Sequence, residues 1–129
     1  GPKDMEKGQC VIARRDTGEK VFVPLEELEQ RVPELLKAVH DNLYESAKKR
    51  LEENTYTCET MEEVKQAMAT RGGFAETMWC GSLECELAMK EQAGVSSRCM
   101  PLEQKKIGKC KCAVCGKDAD KMVVWGIAY

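Results

Sequence analysis

The sequence has no long hydrophobic run, no marked excess of charge of either sign, and only a single histidine. No apolar segment approaches the roughly 20 residues that a membrane-spanning helix needs. No signal-peptide pattern opens the chain, so neither a membrane protein nor an exported one is expected. The formal net charge of −2 argues against a surface that works as a whole as a phosphate-binding field. The histidine, His40, has no serine or cysteine nucleophile placed beside it, so we interpret it as an ordinary surface or boundary residue and expect no catalysis from this chain alone.

Cysteine, by contrast, is abundant, with eight residues in 129. A secreted disulfide scaffold would be small, rich in loops and poor in long helices. This chain has a long helical pattern, and all of its cysteines except Cys10 lie from position 58 onward. The pattern favours the reducing cytoplasm, where clustered thiols usually bind metal.

The first part of the chain predicts a β-hairpin followed by helices. In "QCVIARRDTGEKVFVP" two alternating apolar segments flank a turn that contains Gly18. An isolated hairpin cannot bury an apolar face, so this one is expected to join a larger sheet. Pro24 is expected to open a short helix, and Pro33 a second, longer one. The longer helix carries an apolar stripe at helical spacing, formed by Leu35, Leu36, Val39, Leu43, Ala47 and Leu51.

A second unit is expected from about Cys58. Thr60 and Glu63 form a capping-box pattern at the start of a short helix, and Ser82 and Gly94 bracket another. "GGFAETMWC", "VSSRCMP" and "KMVVWGIAY" predict strands. The expected fold class is α+β, in which an N-terminal hairpin and a long helix lead into a small zinc-stabilised α+β domain with a roughly three-stranded sheet.

Two cysteine pairs have the spacing of metal ligands. Cys80 and Cys85 lie across a strand end and a helix start, where the helix dipole is expected to lower a thiol pKa. Cys112 and Cys115 form a CxxC turn followed by Gly116, which can present both sulfurs to one ion. Four thiolates would bind Zn²⁺ in a closed, structural site. The alternative is four reduced cysteines in an ordinary core.

The other cysteines receive no ligand role in this interpretation. Cys110 lies two residues before the CxxC turn and is expected to stay free. Cys58 and Cys99 have no partner at ligand spacing and are expected to be buried apolar side chains. A redox role for the CxxC turn is disfavoured because no thioredoxin-like βαβ pattern surrounds it.

Several segments resemble one family in order and spacing: "GPKDMEKGQCVIARRDTGEKVFVPLEEL", "VPELLKAVHDNLYESAKKRLEENT", "WCGSLEC", "CAVCGK" and "WGIAY". Together they resemble the C-terminal part of prolyl-tRNA synthetases of the type found in archaea, the eukaryotic cytoplasm and some bacteria. The resemblance implies that residues 1–56 end a class II anticodon-binding domain and that residues 57–129 form a zinc-binding domain. It also implies the metal ligands Cys80, Cys85, Cys112 and Cys115.

The same resemblance implies a parent enzyme that uses ATP to attach proline to its tRNA in the cytoplasm, and that acts as a homodimer. This chain would lack the catalytic core and be inactive alone. Its partners would be the catalytic and anticodon-binding domains of the same chain and, through the parent enzyme, tRNA(Pro). The alternative function is a free-standing zinc module that binds a protein or nucleic acid.

The ending on Tyr129 carries a further expectation. Both alternating sets of "KMVVWGIAY" are apolar, so a strand there is expected to be covered on both sides. The zinc unit can cover one face, and a neighbouring surface is expected to cover the other. By resemblance, the terminal tyrosine would reach toward the catalytic domain near its active site.

Overall fold

The structure, a computed structural model, describes residues 1–128. The chain forms two compact units, Gly1–Arg50 and Leu51–Tyr129. This division falls in the last turns of a long helix, six residues before the boundary at 56 expected from the sequence. Within the described residues, no helix is both long enough and apolar enough to cross a bilayer.

The first unit contains the predicted hairpin. After a short helix α1 (Pro2–Glu6), strands β1 (Gln9–Ala13) and β2 (Lys20–Pro24) pair antiparallel. Gly18 adopts φ +75°, the left-handed conformation that its place in the turn requires. Val23 is buried, whereas the cross-strand pair Val11 and Phe22 lies on the opposite face and is 42% and 62% exposed. One face of this two-stranded sheet therefore carries an uncovered apolar pair.

A single helix, α2 (Leu28–Glu53), follows a 3-10 turn at Leu25–Glu27. The prediction that Pro33 would start a separate helix is wrong, because the helix runs through it. Proline at this early position removes the bond that its own N–H would have donated to the Glu29 carbonyl, and its ring crowds that carbonyl. One end of a 26-residue helix can tolerate this cost. None of the residues in α2 is fully buried, and Leu36 and Leu43 are 65% and 57% exposed.

The second unit is built on a four-stranded sheet in the order β3-β4-β6-β5. Its elements are β3 (Thr55–Thr57), α3 (Met61–Thr70), β4 (Phe74–Trp79), α4 (Leu83–Ala93), β5 (Ser96–Cys99) and β6 (Lys121–Gly126). Strand β3 runs parallel to β4, and the other pairs are antiparallel. The α+β class is confirmed, but the sheet has four strands where about three were expected. The three-residue β3 is too short to show a period-two pattern in the sequence.

The helix boundaries follow the predicted caps. The Thr60 hydroxyl accepts a hydrogen bond from the Glu63 N–H at the start of α3. The Glu63 carboxylate in turn accepts from the Glu59 N–H, one residue earlier than in a standard capping box. Helix α4 ends at Gly94 with φ +67°, the left-handed conformation common after helices.

Strand β6 lies between two apolar clusters. Val123 and Trp125 belong to one cluster together with side chains of α3 and α4, namely Val64, Met68 and Met89. Met122 belongs to the other, with Met78, Cys85, Ile107, Cys112 and Ala119. The expectation that one face of this strand needs a neighbouring surface is therefore wrong for Lys121–Gly126, because the loop before the strand covers it. The predicted role of Tyr129 lies outside the described residues.

Candidate metal centre

The first cysteine pair is held at the junction of β4 and α4. Cys80 directly follows the last residue of β4, and Cys85 is the third residue of α4. Gly81 turns the chain between them with φ +86°. The Trp79 indole N–H donates to the Ser82 carbonyl at 3.1 Å, which fixes this turn. The strand end and helix start predicted for this pair are confirmed.

The second pair lies in a tight turn of the loop between β5 and β6. The Gly116 N–H donates to the Cys112 carbonyl at 2.9 Å, and the Cys112 N–H donates to the Lys117 carbonyl at 2.8 Å. Gly116 has φ +70°, as expected for the residue that closes a CxxC turn. The Ala113 N–H donates to the Met78 carbonyl at 3.1 Å. This last bond fixes the turn to β4, the strand that leads to the first pair.

The four thiols Cys80, Cys85, Cys112 and Cys115 meet, with all sulfur atoms within 4.8 Å of one another. The Cys80 sulfur lies 3.7 Å from that of Cys85 and 3.8 Å from that of Cys115. Disulfide sulfurs would be about 2.05 Å apart, so these are separate thiols. A tetrahedron with metal–sulfur bonds of about 2.3 Å has edges of about 3.8 Å. The spacing and chemistry of the donors therefore fit a tetrahedral metal ion.

The electrostatics of the cluster differ between its two buried members. Burial raises the pKa of Cys85, and the neighbouring thiols of Cys115 and Cys80 raise it further. For Cys85, burial and the neighbouring thiols therefore shift the pKa in the opposite direction to the lowering expected from the helix dipole. Burial also acts to raise the pKa of Cys112, but backbone N–H donors from Cys115, Val114 and Cys80 outweigh it and lower the pKa. The turn thus points its amide dipoles at a sulfur that is to carry negative charge.

The remaining cysteines divide as follows. Cys58 is 4% exposed, as predicted, but Cys99 is exposed, which makes the prediction of burial wrong. The reason is that Cys99 ends β5, a strand at the edge of the sheet. Cys110 packs against the cluster of Cys85 and Cys112 but is not among the four grouped thiols. It adopts φ +54°, the single positive φ of a non-glycine residue in the described chain.

Lys121 is a residue that the sequence analysis did not single out. It pairs with Trp79 across β4 and β6, and its ammonium lies 5.9 Å from the centre of the Trp79 ring. A Cβ built on Gly81 would come within 3.1 Å of the same nitrogen. This cation therefore lies beside the turn that carries Cys80, and only the strand register, which periodicity does not reveal, could have identified it.

A family model described as "Prolyl-tRNA synthetase, C-terminal" matches residues 61–129, more than half of the chain. The chain belongs to the prolyl-tRNA synthetase C-terminal family. The whole chain is 52% identical to part of a proline–tRNA ligase of Clostridium novyi (strain NT), and 50% identical to part of proline–tRNA ligase 2 of Bacillus thuringiensis (strain Al Hakam). It covers 27% of each of these proteins, so it spans about a quarter of the length of these relatives.

A solved structure agrees with this membership of the prolyl-tRNA synthetase C-terminal family. The prolyl-tRNA synthetase of Cryptosporidium parvum, solved with L-proline and AMP, superposes with a TM-score of 0.92 at 32% identity. The match covers all of this chain and 28% of that one. The resemblance noted in the sequence is therefore confirmed at the level of the family.

Proposed function

We propose that this chain is the C-terminal part of a class II, ATP-dependent proline–tRNA ligase and that its own contribution is structural. The observation that carries the proposal is the cluster of four thiols, within 4.8 Å of one another, in a chain that proline–tRNA ligases match from end to end. All four donor atoms of the cluster are cysteine sulfurs. Four such ligands would complete the coordination of a tetrahedral ion and leave no position for a substrate, so the site would serve to hold loops together.

We propose zinc as the ion and Cys80, Cys85, Cys112 and Cys115 as its ligands. A tetrahedral set of four sulfurs suits Zn²⁺, and two of the sulfur separations, 3.7 and 3.8 Å, match the edges of such a tetrahedron. When bound, the ion would supply a cross-link between the β4–α4 turn and the loop before β6. The amides that donate to Cys112 would stabilise the thiolate form that the metal requires.

We propose that two parts of the chain, with the boundary expected from the sequence, have different places in the parent enzyme. Residues 1–56 would end an anticodon-binding domain, and residues 57–129 would form the zinc-binding domain. The uncovered pair Val11 and Phe22 on the hairpin supports a larger sheet or layer in which this hairpin takes part. If the chain were a free-standing zinc module, which is the alternative function, its hairpin would be expected to belong to a sheet that the chain completes and covers by itself.

By family membership, we propose that the parent enzyme is of the type found in archaea, the eukaryotic cytoplasm and some bacteria, and that it is a cytoplasmic homodimer. Its catalytic core would bind ATP and proline, and its partner would be tRNA(Pro). The present chain would contact the catalytic and anticodon-binding domains of the same polypeptide. Alone, it would not charge tRNA.

The metal site can be tested by replacing one ligand. We expect about one zinc ion per chain in reduced protein, and its loss in Cys112→Ser. Structural zinc contributes on the order of 10 kcal/mol to the folding of small domains. The variant should therefore lose cooperative unfolding of the second unit, measured by calorimetry, while α2 keeps its helical circular dichroism.

Cys110→Ser is the matched control, because Cys110 lies two residues away and outside the four grouped thiols. It should keep zinc and unfold close to the wild-type temperature. The proposed site would be contradicted if reduced wild-type protein contained no metal and Cys112→Ser had the melting temperature of the wild type.

A further inference from the structure

The pairing of β5 with β6 contains an irregularity at Arg98. Ser97 is opposite Trp125 and Cys99 is opposite Val124, so Arg98 is the extra residue of a bulge. Bulges redirect a side chain relative to the regular alternation of a strand. The Arg98 side chain is therefore released from the regular alternation of β5.

That guanidinium reaches the end of β6. Its Nη2 donates to the Ile127 carbonyl at 2.5 Å and lies 3.4 Å from the Gly126 carbonyl oxygen. In the part of the chain that the structure describes, these two carbonyls are the hydrogen-bond acceptors of the Arg98 side chain. A charged donor to a backbone carbonyl is a stronger bond than one between neutral groups.

Gly126 provides the space for this contact. A Cβ at Gly126 would lie 3.2 Å from the Arg98 Nε and 3.2 Å from Cδ1 of Phe74. Beyond Gly126 the strand pairings end, since both β4 and β5 have their final partners there. Ile127 is 49% exposed. The bond from the Arg98 guanidinium to the Ile127 carbonyl is therefore a hydrogen bond that holds the described chain just past the sheet.

We propose that Arg98 is a positioning residue that fixes the direction in which the C-terminal segment leaves β6. Its functional meaning rests on the proposed function, in which this chain contacts the catalytic domain of the parent enzyme. It also rests on the expectation from the family resemblance that the terminal tyrosine reaches toward that domain. Arg98 touches no substrate in this proposal. It acts through the backbone of Gly126 and Ile127.

The direct test measures order and accessibility of the segment. Arg98→Gln should lower the ¹⁵N order parameters of Ile127 and Ala128 from about 0.85 to below about 0.6. Release of C-terminal residues by carboxypeptidase should rise roughly five- to tenfold, as expected from the loss of a charge-assisted hydrogen bond. Arg98→Lys should fall between, since lysine keeps a charged donor without the planar fork.

Arg71→Gln is the control, because Arg71 stacks on Tyr56 at 5.6 Å and belongs to the same unit. Zinc content and melting temperature should stay at wild-type values in all of these variants. Unchanged order at Ile127 in Arg98→Gln, or an equal loosening in Arg71→Gln, would overturn the proposal. A collapse of cooperative unfolding in Arg98→Gln would also overturn it, since Arg98 would then be a general stability residue.

Aminoacylation assays of the full-length parent enzyme distinguish failure of this inference from failure of the proposed function. Deletion of Tyr129 and Arg98→Gln should each lower the kcat of aminoacylation, and the double variant should be no worse than the deletion alone. If the deletion lowers kcat and Arg98→Gln does not, the positioning role is wrong. If neither change lowers kcat, the proposed role of the terminus fails, and the order parameters alone decide whether Arg98 holds the segment.

Discussion

Asp16 shows how one carboxylate connects the hairpin turn with the long helix of the first unit. The Arg14 guanidinium donates to both carboxylate oxygens at 3.1 and 2.7 Å, and the Asn42 amide of α2 donates to one of them at 2.8 Å. The Asp16 side chain is only 2% exposed. Its hydrogen bonds with Arg14, and then with Asn42, outweigh burial and lower its pKa to about 2. The ionised form is therefore the one that the folded hairpin requires.

The stability of the first unit should depend on pH through the Asp16 carboxylate. Because the folded pKa lies below the unfolded value of about 3.9, ionised Asp16 stabilises the fold above that pH. This contribution should decline as the pH falls from about 4 toward 2. Asp16→Asn should remove that step of the pH profile and weaken the hairpin at pH 7, as measured by amide hydrogen exchange in β1 and β2. Asp41→Asn, which changes an exposed carboxylate on α2, should have a much smaller effect.

At the scale of elements, the junction of β4 and β6 contains a buried polar contact. The Trp125 indole N–H donates to the Thr77 hydroxyl at 2.9 Å, and both residues are 1% exposed. They lie in the middle of the sheet, where water cannot replace a lost partner. Leaving a buried polar group without its only hydrogen-bond partner costs more free energy than the hydrogen bond itself contributes.

A double-mutant cycle tests this contact. Thr77→Val leaves the indole N–H without an acceptor and should destabilise the second unit by about 1–3 kcal/mol. Trp125→Phe should cost more, because it also removes buried aromatic volume. The double variant should be less destabilised than the sum of the two, as measured by denaturant unfolding with zinc bound. Additive effects would show that the two groups are not coupled.

At the scale of the whole molecule, charge is balanced rather than concentrated. From Cys58 onward there are ten basic and ten acidic residues. The lysines near the CxxC turn are partly paired, since Lys111 lies 2.6 Å from Asp118 and Lys105 lies 3.7 Å from Glu76. Such a surface presents as many negative as positive charges to a phosphate backbone.

Binding of this chain alone to RNA should therefore be weak and strongly dependent on salt. Fluorescence anisotropy with proline tRNA should give a dissociation constant well above micromolar at physiological salt. A non-cognate tRNA of equal length is the control and should bind equally poorly. Sub-micromolar, tRNA(Pro)-selective binding would contradict this expectation and place an RNA contact within the chain.

Local chemistry determined much of this protein from the sequence by itself. The hairpin around Gly18, the cap at Thr60, the end of α4 at Gly94 and the turn closed by Gly116 all depend on residues a few positions apart. Such features need only the conformational preferences of glycine and the reach of a short side chain. The ligand spacing of the two cysteine pairs is equally local. Family membership was readable for the same reason, since the characteristic segments are short and occur in order.

Tertiary structure alone decided how these pieces meet. Cys115 lies beside Cys80 although 35 positions separate them, because the Ala113 N–H fixes the second turn to β4. The register of β4 with β6 places Lys121 beside Trp79, and the bulge at Arg98 directs its guanidinium to Ile127. The prediction that a helix starts at Pro33 was wrong, because the long helix α2 tolerates a proline near its start. The prediction that another surface covers one face of β6 was also wrong, because a strand pattern shows that both faces are apolar but not which residues cover them.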